Sequence, residues 1–401
     1  MKAYDKVMVP RIIFGSNTHE KAGSILKSMG VTNCLIVTGP NVFKRGYVDM
    51  VTKTMDAEGI KYEIYKDSKP DPEDTAVLYV ADIIKKGGYD GVIGMGGGSP
   101  MDLAKAATLA ASIFDDPASI TDLHEYRRGN GSLHRDDWIR KYPLMTLTTT
   151  SGTGAEATAS AAIADSKTHL KFSFGNQAIA PDVAIIDPVF TLGMPPLPTA
   201  NCALDALAHC VEDIVSPGKN EYTNLIQYDC IERIWKWLPI AMEDPNDLEA
   251  REQLSWSAHN ALANGGAPNG HAVGHAITSF YHMVHGPSCA IVLPTVIRHH
   301  AEASQAEIAE LAKRIDVPLT GAAKLDAERV AMAIYRFYKK AGIPSLQEYM
   351  EQNGYTDTKE EFVKKMVPFV LDDWKSRNWL PPIHLKDEDC AAVCAQVYDD
   401  R

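Results

Sequence analysis

The chain has 401 residues, 45% of them hydrophobic and 23% charged, and a formal net charge of -12; that is an ordinary globular composition with length for two or three domains and a large core. The acidic balance argues against general nucleic-acid binding, which needs clustered Lys and Arg, and no apolar run reaches the roughly 18 residues of a membrane span. The opening MKAYDKVMVPRIIFG shows no apolar core followed by a small-residue cleavage site, and seven cysteines without a CxxC pair read as reduced thiols, so a cytoplasmic protein without a signal peptide is expected.

In chain order, residues 6–14 read as a strand or strand pair and 19–29 as a helix. CLIVTGP (34–40) is a short apolar run closed by Gly and Pro, the pattern of a buried parallel strand. A helix is expected over 46–58, a strand over 61–67, a loop at 68–72 and a helix over 73–87. YDGVIGMGGGSP then runs a strand into a glycine-rich turn, which feeds a helix over 101–114. Such alternation predicts a parallel sheet with right-handed crossovers. Residues 116–141 are polar, with Gly129-Asn130-Gly131 at their centre, and read as a surface excursion. A strand begins at 143, a hairpin covers 160–174, and the last strand lies within 181–190.

The character changes at GMPPLPTA (193–200), where three prolines are expected to break regular structure and mark a domain boundary. Helices are expected after it over 199–216, 221–242, 247–264, 271–284, 288–301, 304–314, 325–341, 345–353, 358–366 and 386–397. The fold class is therefore an α/β dinucleotide-binding domain over 1–192 followed by an all-α metal-binding domain over 193–401, with a cleft between them as the default ligand site.

Two stretches carry chemistry. In Gly94-Met95-Gly96-Gly97-Gly98-Ser99-Pro100, glycines allow a phosphate to approach main-chain amides, and a helix starting at Ser99 or Pro100 turns its positive end toward the anion. Asp102 reads either as a dipole complement in the first helical turn or as a cofactor contact. The turn is neither GxGxxG nor a P-loop, so a purely structural reading stays open beside it. A second small-residue strand end, Thr148 to Gly154, would let a flat cofactor lie close. Elsewhere, Asp205 and His209 share a helical face, as do His271 and His275, and His285 follows His271 by fourteen residues, close to four turns if the helix continues. One Asp with two or three His suits Fe(II), Zn(II), Co(II) or Mn(II), although most of the thirteen histidines in such a chain serve as core or capping residues.

GGGSPMDLAKA, TTTSGTGAEAT, the DP–MPP–TA junction, DALAHCVED and GHAVGHAITSFYHMVHG together resemble the iron-containing (group III) alcohol dehydrogenases, in family order over nearly the whole chain. The resemblance implies a dehydroquinate synthase-like fold and four metal ligands, Asp205, His209, His271 and His285, for Fe2+ or, in some relatives, Zn2+. It also implies that His275 sits by the nicotinamide and substrate without being a ligand. Gly97, Gly98 and Ser99 would bind the pyrophosphate, and Asp102, Thr149, Thr150 and Lys171 would be further cofactor contacts.

Three departures stand out. Gly39 stands where many NAD-preferring relatives carry Asp, which removes repulsion against a 2′-phosphate and admits NADP beside NAD; Lys44 and Arg45 are nearby in sequence. The excursion over 124–141 is longer than usual. Pro268 and Asn269 replace a more apolar run, which suggests a more polar substrate pocket. The expected activity is reversible hydride transfer between NAD(P) and a small primary alcohol or its aldehyde, in a homodimer or larger homo-oligomer, with His275 relaying the proton. The alternatives are a dehydroquinate synthase-like lyase or cyclase, which would need a basic cluster that these motifs do not show, and an inactive scaffold.

Overall fold

A computed structural model of the chain describes residues 10–129, 131–168, 170–216, 218–264, 269–377 and 387–400. It divides between Leu192 and Gly193 into two compact units. In the first unit the elements are β1 (Arg11–Phe14), α1 (Ala22–Ser28), β2 (Asn33–Thr38), α2 (Pro40–Lys44), α3 (Tyr47–Ala57), β3 (Lys61–Tyr65), α4 (Asp74–Lys86), β4 (Gly91–Gly96), α5 (Gly98–Ile113), β5 (Leu144–Thr148), β6 (Ala161–Ala164), β7 (Lys171–Phe174) and β8 (Val183–Ile186). Six strands form one parallel sheet in the order β1-β8-β5-β4-β2-β3, and β6 and β7 form a separate antiparallel hairpin.

The apolar runs are continuous because both sheet faces are covered. Leu35, Val37, Val92 and Leu144 pack with residues of α4 and α5. Their neighbours Cys34, Ile36, Ile93, Met95, Met145 and Leu147 pack with α1 and α3. A side chain at Gly94 would place its Cβ 2.8 Å from the Ala104 Cβ and 3.2 Å from the Met101 Cα, so glycine in β4 is what lets α5 lie close to the sheet. Register pairs Gly96 with Thr148, which brings the ends of β4 and β5 side by side.

The excursion differs from its expected surface character. Leu123 is fully buried, Tyr126 meets Phe114 edge-on at 4.9 Å, and Trp138 lies 5.9 Å from Phe174 in the hairpin. These anchors are spaced too irregularly to produce a periodic signal, so a polar stretch hides an aromatic attachment. Asn130 lies outside the described residues, as do residues 6–9 of the first expected strand.

The second unit is built from α6 (Pro196–Val215), α7 (Glu221–Glu243), α8 (Leu248–Asn264), α9 (Asn269–Tyr281), α10 (His285–Ala290), α11 (Leu293–His299), α12 (Gln305–Arg314), α13 (Ala323–Lys340), α14 (Leu346–Gln352), α15 (Lys359–Arg377) and α16 (Asp387–Asp399). Among the described residues it contains no strand. Four expectations are corrected. Of the three prolines expected to break structure, Pro195 lies in the non-helical link over 192–195, whereas Pro196 and Pro198 open α6, in the first turn where no amide donor is required. The helix expected over 271–284 stops at Tyr281, and His282 has φ +55°, which ends the hydrogen-bond ladder. The helix expected over 288–301 is two helices. The one expected to end at 366 runs through Pro368 to Arg377, carried by the buried side chains of Phe362, Met366, Phe369 and Val370.

Arg251 of α8 is 1% exposed. Its guanidinium donates to Pro245 O at 3.0 Å, Thr199 Oγ1 at 2.8 Å and Met194 O at 2.8 Å, tying the start of α6 to the α7–α8 corner. No helix among the described residues is long and apolar enough to cross a membrane.

Candidate metal centre and cofactor turn

Within the second unit, α6 carries Asp205 and His209, α9 carries His271 and His275, and α10 opens with His285. Asp205 Oδ1 lies 3.5 Å from His271 Nε2 and 3.4 Å from His285 Nε2. Two donors on a tetrahedral ion with bonds of roughly 2.0–2.1 Å stand about 3.4 Å apart. Asp205 Oδ1 and His271 Nε2 are buried and make no hydrogen bond. Buried polar atoms are normally satisfied, so a pair left facing each other at this separation fits a bridging cation.

The side chain of Cys289, which the sequence marked only as a reduced thiol, joins them. Donor atoms of Asp205, His271, His285 and Cys289 all lie within 4.8 Å of one another. Its spacing of four from His285 on one helix was the available signal. His209 lies outside that group of four; its ring stacks on His271 with centroids 4.2 Å apart and planes at 16°. The ring of His275 stacks on His285 at 5.1 Å, and its Nδ1 lies 3.0 Å from Asp373 Oδ2.

The electrostatics favour a charged cluster. Burial works against ionisation of Asp205, but the histidines His285, His209 and His271 outweigh it and hold the carboxyl well below its usual range. Burial likewise works against a charged His271, and Cys289, Glu212 and Asp205 outweigh it and push the imidazole well above its ordinary value. Glu212 is a further partner the sequence reading missed. Its Oε1 lies 2.6 Å from His271 Nδ1, and its Oε2 accepts the His271 backbone N–H at 3.0 Å. A Cβ at Gly270 would come within 2.8 Å of this carboxylate, so the glycine makes room for it. Seven residues after Asp205, Glu212 falls on the same helical face, a signal present in DALAHCVE. Asp373 had none, since it approaches His275 from 98 residues away. Replacing Glu212 with Gln is expected to weaken metal retention about 10–100-fold, read by chelator competition, because an orienting carboxylate behind a ligating imidazole carries that much affinity.

The glycine turn lies in the first unit. Gly96 ends β4 at φ +148°, and Gly97 precedes α5, whose first amides have no side-chain cap. The helix begins at Gly98, one or two residues earlier than expected, so Asp102 stands just past its first turn. A Cβ at Gly98 would sit 3.0 Å from Thr153 Cγ2, and one at Gly97 would sit 3.4 Å from Thr150. The two strand ends are laced together: Thr149 N–H donates to Gly96 O at 2.8 Å, and Thr148 Oγ1 donates to Thr150 O at 2.8 Å. Asp71 N–H donates to Ser99 Oγ at 3.2 Å, and Asp71 Oδ1 holds Lys171 Nζ at 2.7 Å, which links Lys171 to the turn. A Cβ at Gly39 would meet Ser68 O at 3.4 Å and Pro100 Cγ at 3.7 Å, so this position adjoins the same helix start. Lys44 and Arg45 are exposed, and Arg45 reaches Tyr47.

Asp102 accepts from Ala162 N–H at 3.1 Å and pairs with Lys105 Nζ at 2.9 Å. Lys105, fully buried, also donates to Ala155 O, Thr158 Oγ1 and Ser160 O. The pair therefore braces the hairpin against α5. Beside it Glu156 is pushed by burial from 4.5 to about 7. The folded state thus favours its protonated form. That stabilisation is complete below the ordinary carboxylate range and is lost as pH rises through about 7. Relative to the unaltered protein, Glu156→Gln is expected to gain up to about 3 kcal/mol between pH 4 and pH 8, read by denaturant unfolding.

A second group, Asp122, His124 and Asp165, also clusters. It is engaged within its own loops: Asp165 accepts from Lys167 and Thr168 amides, and Arg127 lies 2.9 Å from His124 Nδ1. Pro268 and the side chain of Asn269, on which a polar pocket was expected, lie outside what is described.

Residues 10–188 match the family described as iron-containing alcohol dehydrogenase, and residues 199–395 match the C-terminal region of the Fe-containing alcohol dehydrogenase family. The chain is 30% identical over 370 residues to an NAD-dependent methanol dehydrogenase of Bacillus methanolicus, covering 91% of this chain and 92% of that protein. It is 31% identical over 351 residues to an NADPH-dependent butanol dehydrogenase of Clostridium saccharobutylicum, covering 85% and 86%. Among solved structures it is similar to a 1,3-propanediol oxidoreductase at 27% identity and a TM-score of 0.86, over 99% of this chain and 100% of that one.

Proposed function

The chain belongs to the iron-containing alcohol dehydrogenase family, and on that premise we propose which of its residues perform the family's reaction. The enzyme interconverts an alcohol and its aldehyde by hydride transfer with NAD(P) and depends on iron. In this reading the unit over 193–401 is the metal-binding domain and the unit over 1–192 the dinucleotide-binding domain.

Asp205, His209, His271 and His285 hold the divalent ion, Fe2+ or Zn2+. The observation that carries this is the convergence of Asp205, His271 and His285 on a point where two buried donor atoms lack hydrogen bonds. A bound ion would supply Lewis-acid polarisation of the substrate oxygen. Glu212 Oε1 accepts a hydrogen bond from His271 Nδ1–H, which leaves the Nε2 lone pair for the ion. Asp373 orients His275 in the same way, so that Nε2 of His275 exchanges the proton with the substrate side. Gly97, Gly98 and Ser99 receive the pyrophosphate on the uncapped start of α5. Thr149, Thr150, Lys171 and Asp102 complete the cofactor surface. With glycine at 39 no carboxylate repels a 2′-phosphate, which supports use of NADP as well as NAD.

The substrate in this reading is a small primary alcohol or a polar or anionic hydroxy compound. The enzyme works as a homodimer or larger homo-oligomer in the cytoplasm; seven free cysteines support a reducing compartment. The test uses metal-analysed protein, a panel of short alkanals, diol-derived and anionic aldehydes, and NADH or NADPH. Expected is aldehyde-dependent oxidation of the reduced cofactor that stops on chelation and returns with Fe2+. Product formation without net change in NAD(P)H would sink the dehydrogenase reading in favour of a lyase.

A further inference from the structure

We propose that Asp71 is a specificity-determining residue of the cofactor site, whose carboxylate offsets the charge of Lys171 and so withholds from NADPH the advantage that its extra phosphate would draw from that lysine. This rests on the reading of the Gly97–Ser99 turn and Lys171 as cofactor contacts, and it says how that surface divides its affinity between NADH and NADPH.

The segment that carries Asp71 is pinned on both sides. Ser68 N–H donates to Thr38 O at the end of β2 at 3.2 Å, and Ala164 N–H on β6 donates to Pro72 O at 3.0 Å. Between these points Asp71 stands at φ +49°, a left-handed conformation that Asp tolerates better than most residues. From there its amide donates to Ser99 Oγ at 3.2 Å, and its Oδ1 holds Lys171 Nζ at 2.7 Å. Because Ser99 Oγ accepts from this amide, its own proton is left to be donated to a phosphate oxygen.

The Lys171 side chain is 11% exposed and that of Asp71 52%. An anion arriving at the turn therefore meets a neutralised pair rather than a lone ammonium. Gly39 and Asp71 approach adjacent residues at the start of α5, Pro100 and Ser99, so the pair lies near the position where a 2′-phosphate is admitted. A phosphate monoester bears about −1.5 to −2 charge at neutral pH, which NADPH carries in addition to the charge of NADH. Both cofactors feel the carboxylate at the pyrophosphate; only NADPH feels it at the added phosphate, within a Debye length of about 8–10 Å.

The test titrates the metal-loaded full chain with NADH and with NADPH, followed by the fluorescence of the reduced nicotinamide, and measures kcat and KM for each on one aldehyde. Asp71→Asn keeps the shape and the amide and removes the charge. It is expected to lower the Kd for NADPH about 3–10-fold more than that for NADH. The change is expected in KM rather than in kcat, a split that general loosening of the fold would not produce. Lys171→Met is expected to move the preference the opposite way, toward NADH. A ratio of the two Kd values that stays unchanged in Asp71→Asn, or a shift in the same direction in both variants, would overturn the assignment while leaving the cofactor site intact. If neither reduced cofactor binds the unaltered protein, the cofactor-turn reading falls and this inference falls with it.

Discussion

Asp205→Ala is expected to lose bound metal and to lower turnover by at least about a thousandfold. Asp205 is the only carboxylate among the clustered donors, and its Oδ1 is the atom that both His271 and His285 approach. Removing it takes the carboxylate charge from around a divalent ion in a buried site, where an uncompensated charge is most costly. The chemical loss adds to the binding loss. One group stabilising developing oxygen charge in an active site is worth about 10²–10³ in rate, and here the ion that supplies it leaves with its ligand. The measurement is metal content and turnover on the same preparation, with and without added Fe2+. If the variant keeps metal at the unaltered ratio and still turns over, the centre lies elsewhere. Glu212→Gln, which removes only an orienting charge, is the graded control: its lost metal affinity is recovered by excess metal, whereas that of Asp205→Ala is not.

Arg251→Met is expected to lower the stability of the helical unit by about 3–4 kcal/mol. The guanidinium is buried and donates to Met194 O, Pro245 O and Thr199 Oγ1. Hydrogen bonds from a charged donor contribute about 1.5–3 kcal/mol each and do not add fully, and methionine fills most of the volume while supplying no donor. Because Thr199 stands in the first turn of α6, the same bonds fix the helix that carries Asp205 and His209. Denaturant unfolding at fixed metal concentration reads the effect; a change below about 1 kcal/mol would show that the buried cation is replaceable. The exposed pair Lys27–Glu58 is the contrast, since ion pairs of its kind contribute about 0–1 kcal/mol.

What the sequence alone determined follows from local physics. Strands buried on two faces must be continuously apolar, and helices must repeat near 3.6, so the α/β half and the helical half are readable along the chain. A glycine run between a strand and a helix is local too, because the requirement it meets is backbone room within a few residues; Gly94, Gly96 and Gly98 each stand where a Cβ would crowd a neighbour. Asp205 with His209 and His271 with His275 could be paired because one helical turn separates the members of each pair.

The tertiary structure decided the rest. His285 reaches Asp205 because the helix breaks at His282 and restarts, and spacing counted along one continuous helix cannot describe that. Glu212, Asp373 and Lys105 acquire their parts only from what α9, α15 and the hairpin bring to them. The attachment of the 116–141 excursion through Tyr126 and Trp138, the start of α6 on prolines, and the order β1-β8-β5-β4-β2-β3 are settled by packing between segments distant in the chain.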